Sequence, residues 1–128
     1  MRWKLEVVVV PVSDVDRAKA FYTDGAGFEL DHDVRPGGEM RVVQLTPPGS
    51  ACSIVIGTGV GTMDPGSLQG LQLVVRDIAA ARSELIERGV EVSDVQQMGA
   101  PDQDATKFAF FRDPDGNGWA LQEIRARD

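Results

Sequence analysis

The sequence predicts an α+β fold built from two tandem βαβββ modules that form a curved mixed sheet around a cup. Three observations lead there. A segment of the first half recurs in the second. In each half a β-branched run leads directly into a capped helix. In each half a Pro-Gly turn then joins two further strands. A few strands with one helix leave one sheet face bare, so two such sheets must curve around each other or around a ligand.

The first module spans about residues 3–56. Val7–Val10 reads as its opening strand, and Asp14 as the N-cap whose carboxylate accepts from free helix N–H groups. The helix is expected over Val15–Tyr22, with Val15, Ala18 and Tyr22 on its apolar stripe. Gly27 leads to a strand at Phe28–Leu30; Val42–Leu45 and Cys52–Ile56 flank the turn Pro47-Pro48-Gly49. Residues 57–68, rich in Gly, read as a linker.

The second module, about 69–124, repeats this order. Leu71–Val75 is its strand, Asp77 its N-cap, and Ile78–Arg88 its helix, with Ile78, Ala81 and Leu85 inward. Gly89 introduces a strand at Val90–Val92, and the connection Gln96–Thr106, with Met98-Gly99-Ala100-Pro101-Asp102, reads as a mobile loop. Ala109–Phe111 and the strand through Trp119 enclose the turn Asp113–Asn117. Asp14 matches Asp77 and Gly49 matches Gly116, and the whole chain, 1–128, is expected to be a single domain.

Thirteen basic against twenty acidic residues give a formal charge of -7, which argues against nucleic acid and anionic membranes as partners. The longest apolar run, Val7–Val10, is far shorter than the ~20 residues of a membrane span. The opening residues lack the apolar core of a secretory leader, so a cytoplasmic location is expected. Cys52 is the single cysteine and reads as a small buried hydrophobe.

Two segments, Val12-Ser13-Asp14-Val15-Asp16-Arg17-Ala18 with Ala20-Phe21-Tyr22, and Phe111-Arg112-Asp113-Pro114-Asp115-Gly116-Asn117-Gly118, resemble the vicinal oxygen chelate superfamily. That family contains glyoxalase I, extradiol dioxygenases, fosfomycin-resistance and bleomycin-binding proteins. With the duplication, the resemblance covers nearly the whole chain. It implies metal ligands at Val7, Ser53, Gly70 and Ala120, none of which offers imidazole or carboxylate. One pleat along, the set becomes Val9, Val55, Gln72 and Gln122, still a poor divalent site. The expectation is therefore the superfamily's scaffold with no metal and no other cofactor. Relatives commonly pair across chains, and Trp3 with an apolar β face fits a homodimer.

Other candidates are weaker. His32, in Asp31-His32-Asp33, reads as a surface histidine whose neighbours point to the opposite face. The turn Asp113–Gly118 mimics a calcium loop, but the closing Glu is replaced by Ile124. Gly57-Thr58-Gly59-Val60-Gly61 lacks the helix start of a phosphate loop. The pairs Asp14/Asp16 and Asp113/Asp115 sit at a cap and a turn, which favours solvated roles; Phe21 and Tyr22 read as helix packing. Gln72 and Gln122 stand on the face expected to line the cup, floored by Leu5, Val7, Val9, Ser53 and Val55. Their amides either orient a ligand or bond each other or the backbone.

Three functions fit these residues. The first is a metal-free protein that sequesters a small, partly apolar compound. The second is an enzyme without metal, for which no catalytic residue is readable. The third is a metal-dependent lyase or dioxygenase with unusual ligands such as His32 and Glu123.

Overall fold

A computed structural model describes residues 1–99 and 106–124. The chain divides into two compact units: Met1–Leu68 with Asp113–Asn117, and Gln69–Arg112 with Gly118–Asp128.

In the first unit, β1 (Val7–Val9) is followed by α1 (Val15–Ala20), β2 (Glu29–Val34), β3 (Arg41–Thr46) and β4 (Ser53–Thr58). Asp14 caps α1 as expected, its carboxylate accepting from the Arg17 N–H at 3.0 Å. The expected helix to Tyr22 changes character at Phe21, where a π-helical turn runs to Gly25. The strands form one sheet in the order β1-β4-β3-β2, with β1 parallel to β4 and the other pairs antiparallel. One face is closed by α1, which buries Val10, Val43, Leu45, Ile54 and Ile56 with Ala18, Tyr22 and Phe28. Tyr22 stacks on Phe28 with ring centroids 5.6 Å apart.

The second unit repeats the plan with β5 (Leu71–Val75), α2 (Ile78–Glu87), β6 (Gln96–Met98), β7 (Thr106–Arg112) and β8 (Gly118–Glu123). Its sheet has the order β5-β8-β7-β6. Asp77 caps α2 through the Ala80 N–H. Ile78 and Leu85 of the helix are buried, as are Ala109, Phe111, Trp119 and Leu121 of the sheet; the Phe111 and Trp119 rings stack at 5.9 Å.

Several expectations need correction. Val90–Val92 is not a strand. Only isolated bonds hold the following segment to β7, among them Ser93 N–H to the Phe110 carbonyl, and the ladder begins at Gln96. The expected loop Gln96–Thr106 thus opens with β6; Ala100, Pro101 and Asp102 lie outside the described residues. β4 continues through Gly57 and Thr58, so the linker starts two residues later. Cys52 precedes β4 and is only half-buried. Leu5 lies before β1 and is 68% exposed, so it floors nothing.

The turn between β7 and β8 was expected to be solvated, and it is the most deeply held polar element of the first unit. Asp113 is 5% and Asn117 0% exposed. The Tyr22 hydroxyl donates to Asp113 at 2.8 Å. Asn117 donates from Nδ2 to the Pro11 carbonyl at 2.7 Å and accepts at Oδ1 from the Leu68 N–H at 3.0 Å. Asp115 accepts from both the N–H and the hydroxyl of Ser13. Gly66 lies so close that a Cβ there would collide with the Asp115 carbonyl. The carboxylates are buried because every one of these donors needs an acceptor there.

Candidate functional site

Each sheet has one face under its helix and one face open, and strand alternation decides which side chains the open faces carry. On the first sheet the ladder aligns Val7 with Ser53, Val9 with Val55, and Val55 with Gln44. The open face therefore carries Val7, Val9, Val42, Gln44, Thr46, Ser53 and Val55. His32, paired with Gln44, belongs to it and is exposed as expected.

A β-bulge between Leu30 and His32 changes what that face offers. Strict alternation would turn Asp31 away from His32. Instead, the extra residue lets its carboxylate accept from the Thr46 hydroxyl and from Gln44 Nε2 at 3.2 Å. Thr46 and Ser53 share a hydrogen bond of 2.6 Å, and Gln44 Nε2 reaches Ser53 at 3.5 Å. Asp33 obeys the expected alternation and points to the helix side. There it meets Arg41 at 2.8 and 3.0 Å and Lys19 at 2.9 Å. Arg41 and then Lys19 hold its carboxyl well below the usual carboxylate range. Arg41 is raised in turn by Asp33 and Asp16, so its guanidinium is committed to α1 and β2.

On the second sheet Gln72 pairs with Ala120, Val74 with Gln122, Gln122 with Phe108, and Ala120 with Phe110. Phe108 and Phe110 stand side by side on β7 with parallel rings, centroids 6.2 Å apart, and Phe110 is 39% exposed. Val74, across Gln122 from Phe108, and Met98 on β6 are exposed, at 41% and 47%. Gln72 is exposed and Gln122 half-buried; among the described residues neither amide bonds the other or the backbone. Of the two roles open to them, mutual bonding is therefore not the one observed.

The sheet register changes which residues of the two modules correspond. Ser53 lies opposite Val7, but Ala120 lies opposite Gln72, not Gly70. Gly70 precedes β5, with φ +90°. The path from the ladder to the helix cap is two residues shorter in the second unit, and this slides β5 by one pleat. Two residues preserve the face, so Gln72 takes the place of Val7.

Of these residues Ser53 supplies a hydroxyl and Gln72 an amide, while Val7 and Ala120 supply no donor. Among the described residues no group of three or more His, Cys, Asp or Glu is placed to hold an ion. Glu123 points to the helix side of its sheet, accepting from the Ile78 N–H at 3.2 Å and lying 3.9 Å from Lys107. A hollow of about 60 Å³ beside Val9, Pro11, Gly61 and Met63 is far smaller than the ~300 Å³ of an ordinary ligand pocket.

Sequence reasoning missed Asp31, Gln44, Thr46 and the Phe108/Phe110 pair. Alternation in Lys107-Phe108-Ala109-Phe110 was the available signal for the aromatic pair. Nothing in the local sequence marks the bulge at Asp31.

Among the described residues no helix is long and apolar enough to cross a membrane. The sequence model of the glyoxalase/bleomycin resistance protein/dioxygenase superfamily matches residues 4–121. The protein YetH of Bacillus subtilis (strain 168) is 31% identical over 124 residues, covering 94% of this chain and 98% of YetH. TnmS3, described as an antibiotic binding protein from Streptomyces sp. CB03234, has a similar crystal structure. It shows 38% identity and a TM-score of 0.78, over 95% of this chain and 96% of that one. A superfamily member from Sphaerobacter thermophilus DSM 20745 shows 32% identity and a TM-score of 0.79, over 96% and 98%.

Proposed function

Because this chain belongs to the glyoxalase/bleomycin resistance protein/dioxygenase superfamily, we propose that it is a metal-free small-molecule-binding protein that sequesters a partly apolar, aromatic compound. The observation that carries this reading is the open face of the second sheet. Two parallel phenyl rings share that face with Val74, Met98 and Ala120 and with the amides of Gln72 and Gln122, which have no partner among the described residues. Apolar area supplies affinity at roughly 25 cal/mol per Å² buried, and parallel rings favour a flat aromatic partner. The amides supply orientation, at about 1 kcal/mol for each net hydrogen bond. The likeness to an antibiotic-binding protein supports a small-molecule ligand.

The residues at the superfamily's metal positions favour binding over metal-dependent chemistry. The protein acts in the cytoplasm, as a homodimer in which exposed apolar residues such as Val34, Val74, Met98 and Phe110 find cover. Aromatic and glycopeptide-like compounds screened by thermal shift test the reading. Hits should raise the melting temperature, and Gln72→Ala and Gln122→Ala should each weaken them several-fold. Hits that bind both variants as tightly as the parent would place the ligand elsewhere.

A further inference from the structure

We infer that the bulge in β2 builds a second recognition site, on the open face of the first sheet, for a protonated amine carried by the ligand. The inference rests on the proposed ligand-binding role and specifies the ligand's charge. It follows from the direction of the hydrogen bonds. A carboxylate only accepts, so the single Thr46 hydroxyl proton is spent on Asp31. The Thr46–Ser53 bond of 2.6 Å must then use the Ser53 proton, with Thr46 as acceptor. By the same rule the Gln44 amide turns Nε2 toward Asp31, at 3.2 Å, and toward Ser53, at 3.5 Å, which leaves its carbonyl oxygen directed away.

Every donor of the cluster therefore points inward. What remains for a ligand is acceptors only: the Gln44 carbonyl and the second Asp31 oxygen, Oδ1, which has no protein donor among the described residues. A phosphate, a carboxylate or an ether would meet lone pairs and negative charge here, whereas an ammonium group brings three donors and the opposite charge. Arg41 of β3 is turned to the other face by Asp33 and Asp16, so β3 supplies no cation to Asp31. The formal charge of -7 adds a field that draws cations in. The second sheet's open face, with Phe108, Phe110 and neutral amides, offers no such preference.

The test is an NMR titration of the ¹⁵N-labelled full chain with phenethylammonium and with its neutral match, 2-phenylethanol. The ammonium should shift the amides of Asp31–Asp33, Gln44–Thr46 and Ser53 with saturation, and at least about fivefold more tightly than the alcohol, the scale of one charge-assisted bond. Asp31→Asn should abolish that difference, and Thr46→Val, which leaves the charge but frees the relay, should reduce it. Equal binding of the two probes, or ammonium shifts confined to Phe108, Phe110 and Gln122, overturns the amine site while leaving the aromatic reading intact. If neither this pair nor the aromatic screen perturbs either face, the small-molecule reading itself fails.

Discussion

Asn117→Ala should be among the most damaging single substitutions in this protein, although Asn117 lies in a turn. The side chain is fully buried and makes three side-chain bonds. It donates to the Pro11 carbonyl at 2.7 Å and to Asp113 at 2.8 Å, and accepts from the Leu68 N–H at 3.0 Å. Truncation leaves the Leu68 N–H unpaired, at about 1–3 kcal/mol, and removes the bonds to Asp113 and to the Pro11 carbonyl, which keeps the Gly66 N–H, at about 1 kcal/mol each. Leu68 is half-buried, so water relieves part of its loss, and Asp113 keeps the Tyr22 hydroxyl. The expected sum is about 2–4 kcal/mol, a large share of the 5–15 kcal/mol typical of a domain. Urea unfolding followed by circular dichroism measures it; the midpoint should fall with an unchanged slope. Asn117→Asp, with the same shape, should cost at least as much at neutral pH, because it cannot donate and faces Asp113. A loss below about 1 kcal/mol in Asn117→Ala would refute the view of this turn as a clamp of the first unit.

Two further outcomes follow from the same structure. Asp33→Asn should destabilise by about 1–3 kcal/mol at pH 7, less than a fully buried pair because Asp33 is one-fifth exposed. Since its folded pKa is depressed, that contribution is complete above the unfolded value near 4 and is lost as pH falls toward the lowered folded one. Unfolding curves of parent and variant should therefore converge only in strong acid, and a gap that closes near pH 6 would contradict the Arg41 assignment. Light scattering at micromolar concentration should give twice the 13.8 kDa chain mass; a monomer would remove the proposed cover for Val74 and Phe110.

Much of the fold was legible because its signals are local. Asp14 and Asp77 announce helix starts, and Gly49 and Gly116, at φ +83° and +97°, mark turns that an L side chain resists. The site was legible only in part. Face assignment survives a two-residue slide, so Gln72 and Gln122 stand on the open face although Gly70 precedes the strand. The bulge at Asp31 was not legible, because one extra residue in a ladder depends on its partner strand. The burial of Asp113 and Asn117 was missed for a related reason. A turn rich in Asp, Gly and Asn reads as solvated until the donors of Pro11's neighbourhood, Tyr22 and Leu68 are brought to it.

Isothermal titration calorimetry of EDTA-treated protein, with the strongest compound from the aromatic screen, tests the central claim most directly. Saturable binding should persist without metal, with an unchanged affinity when Zn, Ni, Fe or Mn is restored, and should weaken several-fold in Phe110→Ala. Binding that vanishes on chelation and returns with one equivalent of metal would contradict the account and place the protein among the metal-dependent members of its superfamily.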